Sequence, residues 1–120
     1  MNIYKKRVED EAVRQKLLES SKNLIDGTDA LSETLRGSFP GIKLAFVVDC
    51  IPEQGEDIYR ILVNSTTIAE VEIARGVGSM SSPPRLKMIE LSVYQQKRHS
   101  RAVRQALEVA LDLMKSGGSR

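Results

Sequence analysis

The chain has 120 residues, with 18 Lys and Arg against 16 Asp and Glu for a net charge of +2, and that length supports one packed core rather than two. Leu, Ile, Val and Phe together number 33, which excludes disorder for most of the chain. The longest unbroken apolar run, Leu44-Ala45-Phe46-Val47-Val48, is far short of the ~20 residues of a spanning helix, and Lys5-Lys6-Arg7 is followed by no apolar stretch, so neither a membrane span nor a secretory leader is expected.

From Tyr4 to Ile25 there is no Gly or Pro, strong helix formers dominate, and Val13, Leu17 and Leu24 fall on one stripe. This predicts a helix near 4–25. Gly27 is placed to end it, Thr28 to cap a second helix near 29–36, and Gly37 to end that one. After Pro40 the apolar period changes to two. Ile42, Leu44, Phe46, Val48 and Cys50 alternate with Lys43, Ala45, Val47 and Asp49, and the pattern resumes beyond the turn residues Pro52 to Asp57. Strands are predicted near 42–51, 58–65, 68–75 and 86–95, with a long loop from Gly76 to Pro84 before the last. The short connections between the first three strands allow only antiparallel pairing. Val103, Ala106, Leu107, Ala110, Leu111 and Met114 then mark a helix near 100–115 with Ser100 as its cap.

The resulting expectation is a two-layer α+β domain over residues 1–116, with a flexible tail at 117–120. It has N-terminal helices, a four-stranded antiparallel meander and a C-terminal helix, with helices over one sheet face and the other face wet or used for association. The expected core contains Leu44, Phe46, Val48, Ile61, Val71, Ile73, Ile89, Leu91, Leu107, Leu111 and Met114. The order helix, meander, helix, with Pro83-Pro84 before the last strand, resembles the layout of the ubiquitin-conjugating and RWD superfold, and small secretion chaperones also pair a sheet with flanking helices. The Tyr-Pro pair and the cysteine after the last strand are missing, so both resemblances imply architecture alone.

The residues that could carry chemistry are few. His99 is the only histidine and Cys50 the only cysteine, so no disulfide within the chain and no two-imidazole or cysteine-based metal site is possible. A lone thiol fits a reducing cytosol. Cys50 is expected to lie buried with Leu44, Phe46 and Val48, and His99 to be a solvated residue ahead of the last helix. Asp49, Glu70, Glu72 and Glu90 could share a sheet face, where they would either hold Mg²⁺ in a nuclease-like way or form ion pairs with Arg60, Lys43 and Lys87; the pattern lacks the lysine such nucleases use, which favours ion pairs. Gly76-Val77-Gly78 leads into Pro83-Pro84 and a strand, so the helix a phosphate loop requires is absent.

Charge is uneven: net 0 over residues 1–36, −3 over 37–75 and +5 over 76–120. Lys97, Arg98, Arg101 and Arg104 fall within eight residues that contain no acid, at the start of the last helix. Cations there oppose the helix dipole at a cost of a few tenths to ~1 kcal/mol each, yet the same geometry suits an anion. They are read either as a solvated face, with Arg104 paired to Glu108, or as a polyanion contact to which Tyr94 could add a stacking surface. The leading expectation is a small cytosolic, non-enzymatic binding module, an adaptor, regulator or chaperone-like protein working through protein contacts. Nucleic-acid or other polyanion binding through these four cations comes second, and a metal-dependent nuclease-like enzyme third. No catalytic residue, metal or cofactor is assigned; a protein partner, a nucleic acid or a second copy are the expected partners, and a membrane is not.

Overall fold

The computed structural model describes residues 3–75 and 83–118. Along the chain run α1 (Ile3–Asp26), α2 (Ala30–Ser38), β1 (Phe46–Glu53), β2 (Glu56–Asn64), β3 (Thr67–Ala74), β4 (Arg85–Glu90), α3 (Leu91–Gln96) and α4 (Arg101–Gly118). The strands form one antiparallel sheet in the order β1-β2-β3-β4, the α+β meander expected from the period change at Pro40. Most of the loop from Gly76 to Pro84 and the end of the predicted tail, residues 119–120, lie outside the described residues, and α4 is helical through Gly118.

Local chemistry fixes the connections. The α1–α2 corner closes because Arg36 donates to the carbonyls of Ile25 and Gly27, at 2.7 and 2.6 Å, taking up acceptors that the end of a helix leaves free. A side chain at Gly27 would strike Asn23 O and Ser32 Oγ, each 2.6 Å from an added Cβ, so the corner requires glycine. Asp29, rather than the predicted Thr28, caps α2 by accepting from Ser32 N. Glu53 pairs with Glu56 across Gln54-Gly55, with Gly55 at φ +83°, and Asn64 Oδ1 accepts from Thr66 N to set the next turn.

Opposed residues share a face, so the register arranges one face of the sheet into three ranks. Phe46, Leu62, Ile68 and Ile89 form an apolar rank. Asp49, Arg60, Glu70 and Lys87 form a rank of alternating charge, and Ile51, Ile58, Glu72 and Arg85 a third. The apolar rank packs with Leu17 of α1, Leu91 and Tyr94 of α3, and Leu107, Val109, Ala110 and Leu113 of α4. The opposite face is not left wet: Ile61, Val63, Ala69 and Val71 bury against Leu24 of α1 and Leu35 of α2. α1 passes from one core to the other at Ser21, whose Oγ accepts from Ala45 N just ahead of β1. Ala45 thus gives its amide to α1, and the ladder with β2, which ends at Asn64, begins at Phe46 and not at residue 42.

Two further expectations are corrected. The last strand stops at Glu90, and Leu91–Gln96 is helical. Alternation of Ile89, Leu91 and Val93 suggested a strand, but it is the helical spacing of Leu91 and Tyr94 that puts both into the core, leaving Val93 46% exposed. A bulge between Val47 and Asp49 shifts β1 by one residue. Cys50 therefore pairs with Tyr59 on the face opposite Phe46 and is exposed, not buried with Val48.

Candidate functional site

Two concentrations of charge stand out, one on the sheet and one at the start of α4. In the charged rank, Arg60 Nε donates to Glu70 Oε1 at 2.9 Å while its Nη1 lies 3.7 Å from Asp49, and Lys87 Nζ reaches Glu70 Oε2 at 3.2 Å. Tyr94 roofs the rank, its ring centroid 6.0 Å from Arg60 Cζ. Burial alone would raise the Glu70 pKa, but the hydrogen bonds from Arg60 and Lys87 outweigh it and hold the carboxyl below its ordinary value. Burial, and then the Asp49 carboxylate, push the Tyr94 phenol up against the opposing influence of Arg60, and the hydroxyl has no hydrogen-bond partner among the described residues.

These contacts favour the ion-pair reading of the carboxylates. Glu70 is shared between two cations, Asp49 is separated from it by Arg60, and Glu72 lies one rank further on, paired with Arg85 at 3.0 Å. Glu90 opposes Thr67 on the other face, and Lys43 precedes the sheet. Among the described residues no three His, Cys, Asp or Glu side chains converge to hold a metal ion. Partial burial, followed by Asp57 and Asp49, raises the Cys50 pKa, which disfavours the thiolate a nucleophile requires.

At the α4 end the predicted cap is present: Ser100 Oγ accepts from Val103 N at 3.2 Å and Ser100 O from Arg104 N at 3.0 Å. The structure brings Lys97, Arg98, Arg101 and Arg104 together on the approach to the helix and its first turn, all four exposed. Among the described residues none has a side-chain hydrogen bond or an acidic partner. The expected Arg104–Glu108 pair does not form; Glu108 lies 3.9 Å from Lys6 instead. That contact belongs to a seam in which Asp10 accepts from Gln105 and Lys6, and Arg14 reaches Asp112 at 2.6 Å, tying α1 to α4. The same bonds, Gln105 first, lower the Asp10 pKa.

His99 departs from the solvated reading. Its ring stacks on Tyr94 with centroids 4.3 Å apart, and its Nε2 is 2.7 Å from Tyr94 O, a distance that requires the nitrogen to donate. Tyr94 is 0% exposed, so it offers no stacking surface to a nucleic-acid base. No helix among the described residues is long and apolar enough to cross a membrane. Compared with known proteins, the chain matches no family model, no curated protein and no solved structure.

Proposed function

We propose that this chain is a small, non-enzymatic binding module that engages a phosphate polyanion through the basic edge made by Lys97, Arg98, Arg101 and Arg104. The observation that carries the reading is the distribution of partners. Arg14, Arg60, Arg75, Arg85 and Lys87 each have an acid within 4.0 Å, whereas these four have none among the described residues; Arg7, Lys16, Lys22, Lys43 and Lys115 also lack one, and what sets the four apart is that they crowd into eight residues without an acid. They also gather where the dipole and the free amides of Arg101 and Ala102 favour negative charge, so an anion would relieve the repulsion that the segment otherwise carries. Nucleic-acid backbone fits this chemistry better than base readout, because the Tyr94 ring is buried and the His99 ring lies against it.

Titration of labelled duplex DNA, followed by fluorescence anisotropy over a salt series, tests the reading. Four phosphate contacts give a log-log slope near −3.6, at about −0.9 per contact, with little dependence on sequence. Absence of binding at low salt removes the polyanion reading. An adaptor or regulator role through protein contacts is the second reading, and what favours it is β4, an end strand with no second neighbour among the described residues. A cytosolic setting belongs to both readings, since the exposed thiol of Cys50 would be open to pairing between chains in an oxidising compartment.

A further inference from the structure

The one histidine stands inside the basic edge. His99 follows Lys97 and Arg98 and precedes the Ser100 cap, so it lies at the same entrance to α4 as the four cations without being one of them. Its ring is held from the other side: it stacks on Tyr94, and Nε2 donates at 2.7 Å to Tyr94 O, the carbonyl that also accepts from Lys97 N at 3.1 Å. A neutral imidazole carries one proton, and here Nε2 carries it. Nδ1 keeps the lone pair and has no hydrogen-bond partner among the described residues. Most of the charged groups around the ring are cations. Lys97, Arg98, Arg101 and Arg104 flank it in sequence, α3 supplies no charged side chain, and Arg60 of β2 lies across the Tyr94 ring, with Asp49 and Glu70 beyond it already held by that arginine.

We propose that His99 is a conditional fifth cation of this edge, taking a proton at Nδ1 as a phosphate polyanion binds, so that affinity rises as pH falls. This role rests on the polyanion reading and makes that contact pH-dependent. Imidazole is the one side chain that ordinarily changes charge between about pH 5 and pH 8. Phosphates seated among Lys97, Arg98, Arg101 and Arg104 would lie near a ring in the middle of that sequence, within the roughly 10 Å over which charge acts at ~0.1 M salt, and negative charge there favours the imidazolium. Binding and protonation then favour each other by the same factor, and about three- to tenfold is the scale for one partly screened charge. One proton passes from solvent to the Nδ1 lone pair, and no bond within the protein breaks, because Nε2 donates to Tyr94 O in both forms. The segment therefore changes charge without changing place.

Anisotropy titrations of labelled duplex DNA at one low salt concentration, at about pH 7.5 and about pH 5.5, test this on the wild type and on His99→Gln, whose amide can still donate to Tyr94 O. The wild type is expected to bind at both and about two- to fivefold tighter at the lower pH, the part of the coupling that falls between the two values. The variant should come close to it at the higher pH and lack the gain. Proton NMR of the one imidazole in the wild type serves if the variant fails to fold: its titration should move up by about 0.5 to 1 pH unit when duplex is added. An unmoved titration, equal binding at both pH values, or a gain that His99→Gln retains, as titration of the amino terminus would give, overturns the proposal and leaves the polyanion reading standing. No binding at either pH removes both.

Discussion

The charged rank of the sheet and the basic edge of α4 are built from the same residue types and put to opposite use. On the sheet each cation is matched: Arg60 lies between Asp49 and Glu70, and Lys87 completes the row. Those charges are spent on the fold, because Glu70 is nearly buried and would be a liability unpaired. On the approach to α4, four cations stand together in solvent without acids. Formal charge alone does not separate the two regions; pairing and burial do, and the consequence is that removing a charge should have opposite signs of effect in the two places.

The largest expected effect comes from removing what supports both regions. Leu107 lies on α4, the helix that begins at the basic edge, and packs in the core that also holds Tyr94, the roof of the charged rank. Leu107→Ala is expected to cost ~2 to 5 kcal/mol in urea unfolding, through lost burial and an unfilled cavity. Unfolding indistinguishable from wild type would mean that this face of α4 is not part of the core.

A smaller loss is expected on the sheet. Glu70→Ala leaves Arg60 and Lys87 without their shared partner and should cost about 2 kcal/mol, less than for a fully buried pair because Arg60 keeps some contact with water. The pH dependence has a definite sign. A carboxylate whose folded pKa lies below its unfolded value adds stability that is complete above the unfolded value and lost as pH falls through the folded one. Wild-type urea midpoints should therefore fall as pH drops below the ordinary glutamate value of 4.5, and the acid limb of Glu70→Gln should be flatter. Equal acid limbs would show that Glu70 is not held by its cations.

At the basic edge the smallest stability change is expected, with the opposite sign. Arg101→Gln with Arg104→Gln retains helix propensity and relieves an unfavourable dipole interaction, so stability should stay level or rise by up to about 1 kcal/mol. A clear destabilisation would mean that these arginines hold the fold in the way Arg60 does.

How much of this is legible in the sequence varies from one element to the next. The helices and the meander are, because their apolar periods differ, and so is the Ser100 cap. Face assignments fail after Val47, since a bulge leaves no mark on residue spacing yet exchanges the two sides of a strand, and it carries Cys50 out to solvent. α3 is hidden because Ile89, Leu91 and Val93 satisfy a strand pattern over too short a run to exclude a helix. On α4 the predicted stripe finds Leu107 and Ala110 but misses Val109 and Leu113, because the helix packs on α1 as well as on the sheet and buries a wider arc. The basic edge itself is visible in the bare sequence. That its cations lack partners is not, because Lys6, a residue from the other end of the chain, sits beside the acid that Arg104 was expected to hold.

The most direct test of whether the basic edge, and not unpaired charge in general, meets the polyanion is a duplex-DNA titration across a salt series with two double variants that remove equal charge. One is Arg101→Gln with Arg104→Gln; the other is Lys16→Gln with Lys22→Gln, which removes the same charge from α1. The account predicts that the first variant alone halves the slope, from near −3.6 to about −1.8, while the second keeps it close to wild type. Equal weakening by both variants, or a wild-type protein that does not bind at low salt, would contradict it.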